Sequence, residues 1–373
     1  MLCKLVITDF FIVFSALLYT YWVKVMRKLI FAVILIIISA TVYATPSING
    51  KAYVVADAIT GRIIYSKNMN QRLPMASTTK LMTALIFLEN ADFSKPVIYT
   101  KEAKITPYHN LNFAPNTTLS ANDALHSLLL PSSNDMATAI AISSGGTINH
   151  FLDMMNDKAK ILGMNNTHYE NVHGLDTYGH YSACYDISVL ARELWKITYF
   201  RTIPKPEYKI TYNENGITKE KLLTATYKEM FKFDGFKGIK TGTTTKAGKC
   251  FIGYFERNQN PLITVVLGSK NAMDDTKTLV NYTYQNCELR TIVSKNDILK
   301  LIINNIEYKL FVNKDIKLFA DKESVFNIKI AKEPDSTENN YFGLLTVFSD
   351  KTPIMSVPVY ISSYNLVSEN NVA

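Results

Sequence analysis

Residues 77–91 read Ser77-Thr-Thr-Lys80-Leu-Met-Thr-Ala-Leu-Ile-Phe-Leu-Glu-Asn-Ala91. Beyond Lys80 the stretch is apolar nearly all round, with Leu81, Met82, Ala84, Leu85, Ile86 and Leu88 covering every side of a 3.6-residue period. That pattern predicts a helix buried inside a core rather than one lying on a surface. A buried helix needs partners on all sides, and the flanking sequence supplies them. Upstream, residues 51–66 (KAYVVADAITGRIIYS) form two β-rich runs around Thr60-Gly61, a hairpin. Downstream, residues 120–130 predict a helix with Ser120 as N-cap and Asp123 in the first turn, stopped by Pro131. Asp135–Ser143, His150–Leu162 (ended by Gly163) and Tyr185–Trp195 read as further helices. Lys249–Arg257 and Leu262–Gly268, joined by Asn258–Pro261, form a second hairpin, and Thr276–Tyr284 a closing helix. Strands at both ends with helices between them predict an α+β domain whose terminal segments share one sheet.

From about residue 290 the texture changes to short β-type runs alone: Glu307–Val312, Asp315–Phe319, Val325–Ala331, Gly343–Phe348 and Ile354–Tyr360. Turn residues part them at intervals of about 8–12 positions, the spacing of a small sandwich or barrel. The expected organisation is therefore an upstream segment plus signal peptide (1–44), an α+β domain (45–287), an all-β domain (288–366) and a tail (367–373). A length of 373 residues suits two domains, and 47% hydrophobic with 19% charged residues excludes extensive disorder.

The first 44 residues differ in kind. Met26-Arg27-Lys28, the apolar run Leu29–Ile38, and Val42 and Ala44 before Thr45-Pro46 are the parts of a secretory signal peptide. Cleavage is expected after Ala44, and residues 1–25 precede a second start at Met26. The apolar core is shorter than the ~20 residues that span a bilayer. The mature chain is thus expected outside the cytoplasm, in the periplasm or on the outer face of the cytoplasmic membrane. Removing residues 1–44 takes away Lys4, Lys24, Arg27 and Lys28 but only Asp9, so the net charge of +8 falls by three. The remaining mild positive charge suits an anionic wall polymer or the inner-membrane surface. No basic run with interleaved aromatics points to nucleic acid. Cys184, Cys250 and Cys287 are scattered and odd in number, so no disulfide framework is expected, although one bridge is open to them. With no metal-ligand spacing among the cysteines or histidines, neither metal nor cofactor is expected.

Three short elements carry chemistry: Ser77-Thr-Thr-Lys80, Ser132-Ser-Asn134 and Lys240-Thr-Gly242. Each alone is a common triplet or tetrad. Together, on a helix start, an inter-helix loop and a strand edge, they form the pattern of penicillin-recognising serine enzymes. A serine hydroxyl needs a base to become a nucleophile. Positions i and i+3 share a helix face, so the Lys80 amine can reach Ser77. Lysine acts as a base only when neutral; apolar surroundings and the nearby charge of Lys240 both lower its pKa. Ser132 can relay a proton to the leaving amine, and Asn134 can hold the substrate amide while orienting Lys80. Lys240, Thr241, Gly242 and Thr243 are expected on an edge strand where a peptide pairs as an added strand, Gly242 allowing close approach. The N–H groups of Ser77 and Thr243 are the expected oxyanion donors, a contribution of about 3–4 kcal/mol each.

The sequence resembles the low-molecular-mass penicillin-binding proteins, serine-type D-Ala-D-Ala carboxypeptidases, from about residue 47 to 366. Besides the three motifs the likeness includes Asp57-x-x-Thr60-Gly61, LLLPSSNDMATAIA (128–141), MNDKAKILGM (155–164), HGLD and GHYSA (within 173–183) and GIKTGTTTKAG (238–248). The resemblance implies a β-lactamase/transpeptidase-like fold with a small all-β C-terminal domain. It also implies an acyl-enzyme on Ser77 with Lys80 as base, and Ser132, Asn134, Lys240, Thr241 and Thr243 completing the centre. Peptidoglycan stem peptides are the implied substrate, and β-lactam antibiotics the covalent inhibitors. His173 and Asp176 offer a His/Asp pair, but Ser77 already has its base, so the favoured reading is that their loop packs and shapes the cleft.

Two departures stand out. Relatives often offer an arginine after the K-T-G strand to the substrate's terminal carboxylate; here Ser269-Lys-Asn-Ala-Met-Asp-Asp275 has none, leaving Lys270 or the Thr241 and Thr243 hydroxyls. The tail Ser362–Ala373 is too polar for the amphipathic membrane helix many relatives carry. A class A β-lactamase would need a deacylating glutamate in an E-x-x-L-N segment, and none lies between Asn134 and Lys240. An endopeptidase of the same fold is the nearer alternative.

Overall fold

The computed structural model describes residues 46–333, 340–349 and 351–366. The expected signal peptide with its upstream segment, and the tail 367–373, lie outside them. In chain order the elements are β1 (Ala52–Asp57), β2 (Ile63–Lys67), a 3₁₀ turn (Ala76–Thr79) running into α1 (Lys80–Asn90), β3 (Val97–Tyr99), α2 (Lys101–Ile105), β4 (Thr117–Leu119), α3 (Ala121–Leu129), α4 (Asn134–Gly145), α5 (Ile148–Ile161), α6 (Cys184–Lys196), β5 (Glu207–Glu214), β6 (Ile217–Thr224), β7 (Phe236–Thr244), β8 (Gly248–Arg257), β9 (Asn260–Ser269) and α7 (Ala272–Asn286). The all-strand remainder is β10 (Cys287–Val293), β11 (Leu299–Ile303), β12 (Ile306–Phe311), β13 (Ile316–Asp321), β14 (Phe326–Lys332), β15 (Tyr341–Ser349) and β16 (Thr352–Leu366).

The main sheet has the order β2-β1-β9-β8-β7, antiparallel throughout. The first and last strands of this body therefore lie side by side, Val54 opposite Val265, as the pattern of terminal hairpins predicts. Helix α1 touches α3, α4, α5 and α6, and every residue from Lys80 to Phe87 is buried. That is the physical basis of its lack of a polar face. Ser120 caps α3 as expected, its side chain accepting from the Asp123 N–H. Helices α6 and α7 both pack on β9, closing the core against the sheet.

Several bounds differ from the sequence expectation. The turn between β8 and β9 is only Asn258-Gln259, both at positive φ, so Pro261 belongs to β9. Strands β10 and β11 and the sheet β3-β4-β5-β6 were not anticipated. The C-terminal strands form a sheet of order β11-β12-β16-β15-β14 and a ribbon β10-β13. Strand β13 shows the period of two: Ile316 and Leu318 join a second apolar cluster with Leu310, Leu345 and Val359, whereas Phe319 faces the first. Cys184, Cys250 and Cys287 are buried and free, so the open possibility of a bridge is not realised. Among the described residues no helix is long and apolar enough to cross a membrane.

Candidate active site

Ser77 does not sit in α1 itself. It lies in the 3₁₀ turn that leads into the helix, and the α-helix begins at Lys80. A 3₁₀ turn repeats every three residues, so positions 77 and 80 eclipse. The Lys80 Nζ comes to 2.8 Å from Ser77 Oγ. Ser77 is half-buried while Ala76, Thr78, Thr79 and Lys80 are buried, so the hydroxyl is the part of the turn open to the cleft. Ala76 has φ +49°, a left-handed conformation that costs a residue with a Cβ. The strain falls at the residue before the expected nucleophile, where such strain commonly collects.

Three acceptors surround the Lys80 amine: Ser77 Oγ at 2.8 Å, Asn134 Oδ1 at 2.6 Å and the His173 carbonyl at 2.7 Å. Desolvation by burial holds the Lys80 pKa well below its ordinary value. The charge of Lys240 pushes it the same way, and Asp135 opposes both. Lys240 is also buried and donates to the Thr241 carbonyl at 3.0 Å. Burial brings its pKa down to about 7.

Asn134 opens α4, and its side chain is fixed at both ends. Oδ1 accepts from Lys80, and Nδ2 donates to the Pro107 carbonyl at 2.9 Å. Asp135 is buried beside it and accepts from Tyr99 Oη, from the Leu111 and Asn112 N–H groups and from its neighbour Met136 N–H. Sequence reasoning passed over Asp135, which ties the 107–112 loop to the start of α4. Ser132 adopts φ +66°, and its buried Oγ has no hydrogen-bond partner. An orphaned buried hydroxyl is uncommon, and this one lies two residues from Asn134.

Strand β7 pairs with β8 alone and forms the edge of the main sheet, the place expected for Lys240-Thr-Gly242. Along it Lys240 and Gly242 are buried and Thr243 is exposed. Gly242 permits a close approach, but by the chain itself: a Cβ there would lie 3.0 Å from Ser77 N and 3.1 Å from the Met75 carbonyl. Gly174 is tighter still. At φ +98° it leaves room for the Ala76 carbonyl, which a Cβ would meet at 2.0 Å. Two glycines thus clasp the turn that carries Ser77.

His173 and Asp176 do not form a pair. His173 Nδ1 accepts from the Leu175 N–H at 3.3 Å, while Asp176 accepts from Thr244 Oγ1 at 2.7 Å and from the Lys246 N–H at 3.2 Å. Burial and the Lys80 charge lower the His173 pKa to about 3, so its ring is neutral. Their loop is pinned to one stripe of α1 and its preceding turn. Thr79 Oγ1 lies 2.8 Å from His180 Nε2, Lys80 donates to His173 O, and Thr83 donates to Val172 O. The contribution of His173 is a carbonyl, which carries no side-chain signature and is invisible to motif reading.

Lys270 is exposed after the end of β9. A cation nearer in register was missed: Lys249 on β8 pairs directly with Thr243, and Ser269 lies one strand further on. Side chains of a directly opposed pair share a face about 5 Å apart. Among the described residues no three His, Cys, Asp or Glu side chains are grouped to hold a metal ion.

Comparison with known proteins places this geometry in context. The profile of peptidase family S11, described as D-alanyl-D-alanine carboxypeptidase, matches residues 39–271. The chain is 29% identical over 259 residues to the D-alanyl-D-alanine carboxypeptidase DacF of Bacillus subtilis, covering 66% of this chain and 65% of that one. It is 30% identical over 260 residues to DacD of Escherichia coli, covering 65% and 64%. The matches therefore span just under two thirds of these relatives. The fold is that of the D-alanyl-D-alanine carboxypeptidase DacD from Francisella tularensis, with TM-score 0.69 at 22% identity over 87% of this chain and 95% of that one.

Proposed function

Since the chain belongs to the D-alanyl-D-alanine carboxypeptidase family of serine peptidases, we propose that it removes the terminal D-alanine from peptidoglycan stem peptides through an acyl-enzyme on Ser77. The observation that carries this reading is the coordination of Lys80. Two of its three partners, the Asn134 side-chain carbonyl and the His173 carbonyl, can only accept. A neutral amine has two N–H groups and one lone pair. The two carbonyls use both hydrogens, and the lone pair is left facing Ser77, the one partner able to donate. Burial and Lys240 favour that neutral form. Lys80 is then a base already oriented at the nucleophile.

In this mechanism Lys80 takes the Ser77 proton as Oγ attacks the carbonyl between the two terminal residues. The oxyanion is held by the N–H groups of Ser77 and Thr243, whose strand Gly242 seats against the serine turn. The unpartnered hydroxyl of Ser132 relays that proton, giving its own to the departing amine of D-alanine and being reprotonated from Lys80, which returns to its neutral form. Water then hydrolyses the ester. Lys240 supplies positive charge to the cleft, and the terminal carboxylate is read by the Thr241 and Thr243 hydroxyls with Lys249 opposite Thr243. A Lys249→Met variant should raise KM with kcat nearly unchanged, whereas Lys270→Met should leave both as they are. Asp135, the acid bearing on Lys80, has its oxygens committed to Tyr99, Leu111, Asn112 and Met136, so it does not activate a deacylating water. Penicillin is accordingly expected to acylate Ser77 and to leave slowly.

The same reading takes residues 45–287 as the enzyme and 288–366 as a second domain, which the separate apolar clusters support. It places the enzyme outside the cytoplasmic membrane, where its wall substrate lies. Mass spectrometry of the purified protein with penicillin and with a pentapeptide ending in D-Ala-D-Ala is the test. A Ser77 adduct and released D-alanine are expected; an intact pentapeptide would overturn the proposal.

A further inference from the structure

Apart from the serine cleft, a cavity of about 590 Å³ lies where the β1–β2 turn and α6 meet the paired ends of β15 and β16. Arg62 and Arg192 both line it. Each gives one terminal N–H to a neutral carbonyl, Arg62 to Phe319 at 2.6 Å and Arg192 to Ile59 at 2.8 Å. Neither forms an ion pair with a carboxylate among the described residues. In both, the Nε is buried and without a hydrogen-bond partner. Such an orphaned donor is costly in a native fold, and two of them on one cavity call for a common cause.

The acid on the wall does not provide it. Asp57 belongs to the Asp57-x-x-Thr60-Gly61 motif, for which the catalytic reading finds no use. Its Oδ1 is consumed within its own turn, accepting from the Ile59 N–H, the Thr60 N–H and the Thr60 hydroxyl at 2.7–2.9 Å. Asp321 also bears on Arg62 from outside the cavity wall, yet neither acid forms an ion pair with either guanidinium. Burial lowers the Arg62 pKa although Asp57 and Asp321 both oppose the shift. The flat face of Arg62 rests on Phe326 at 5.4 Å, and Arg192 packs against Gly61, where a Cβ would meet its guanidinium at 3.2–3.4 Å. Both forks are thus held in place, and arginine forks are suited to planar oxyanions.

We propose that this cavity is a second, non-catalytic binding site for a small molecule bearing an oxyanion, a carboxylate or a phosphate group, held between Arg62 and Arg192. Its volume exceeds that of a lone ion and is in the range of small-molecule sites. Residues 349 and 352–354 of the C-terminal sheet form part of the wall, so an occupant touches both the α+β body and that sheet.

The test is isothermal titration of the full chain, at fixed ionic strength, with two probes: inorganic phosphate and glutarate. One saturable site is expected for at least one probe. Preference for phosphate identifies a phosphate-bearing ligand, and preference for glutarate a carboxylate-bearing one. Arg62→Gln and Arg192→Gln should each weaken binding at least tenfold. If circular dichroism shows that these variants unfold, the same tenfold criterion applies to Arg62→Lys and Arg192→Lys, which keep the charge and lose the fork. Prior acylation of Ser77 by penicillin should leave the titration unchanged. No saturation by about 10 mM of either probe, binding indifferent to the substitutions, or binding abolished by acylation would each overturn the proposal.

Discussion

Among the described residues, every buried side chain that is polar or charged lies between Asp57 and Thr283; beyond residue 287 the buried positions are apolar or tyrosine. The α+β body therefore carries desolvated lysines, a desolvated aspartate and an unpartnered serine, whereas the C-terminal sheet is held by Leu310, Leu345, Val359 and their neighbours. Burying a polar group costs free energy unless it is hydrogen-bonded, and burying a charge costs more. The body bears that cost where Lys80, Asn134 and Asp135 meet, and the depressed Lys80 pKa that results is what the proposed base requires. The sheet has no such cost and no such chemistry.

The sharpest way to break this contrast is Lys80→Met, which replaces the buried base with an apolar side chain. Acylation of Ser77 by a fluorescent penicillin should fall by about 10²–10⁴-fold, the range for losing general-base catalysis. A smaller loss would mean that the buried amine is structural. Next in size is Gly174→Ala. Its Cβ would stand 2.0 Å from the Ala76 carbonyl at a φ of +98°, so the serine turn must move. A loss of about 1–3 kcal/mol in stability is expected, with acylation down about 100-fold if Ser77 shifts by 1 Å. Chemical denaturation and the labelling rate measure the two effects separately.

The pH profile sharpens the comparison further. Lys80 works when neutral, so acylation should rise with pH through its lowered pKa. Lys240 loses its charge above its pKa of about 7, so the grip on an anionic substrate should weaken there. Lys240→Gln removes the nearby charge that depresses Lys80. Its pKa must then rise, and the acidic limb of the acylation profile should move to higher pH. An unmoved limb would show that desolvation alone sets the Lys80 pKa. The smallest effect on chemistry is expected from Leu345→Ala in the C-terminal sheet. It should cost about 2–5 kcal/mol of stability and leave the acylation rate per folded molecule as it was; a slowed rate would show that the two regions are coupled.

Reading the sequence alone reached different depths in different places. The serine, the lysines and the edge strand were legible because each announces itself by side-chain type at a fixed spacing. The His173 carbonyl and the seats that Gly174 and Gly242 make for Ser77 were not, because backbone atoms leave no mark on composition. The 3₁₀ start of α1 escaped for a related reason: the i, i+3 spacing fits a 3₁₀ turn and an α-helix alike. The β5–β6 hairpin carried a signal in Asn215-Gly216, both at positive φ. Strand β6 is mostly exposed and rich in lysine and glutamate, so it lacks the apolar alternation that marks a half-buried strand, whereas β5 carries it in Tyr208, Ile210 and Tyr212. Strand β13 shows the converse. Its run was legible as β-type, but Ile316 and Leu318 face one core and Phe319 the other, a division that its apolar Leu-Phe-Ala sequence does not announce.

The pair of glycines clasping the serine turn bears on drug resistance. A β-lactam and a stem peptide would react on one frame, fixed by positions 174 and 242, where any side chain displaces Ser77 for both. On the proposed reaction, mutational escape from the antibiotic at those positions would forfeit the enzyme. Thr243 and Lys249, paired and exposed at the rim, stand outside that clasp, so a change there would leave the frame as it is.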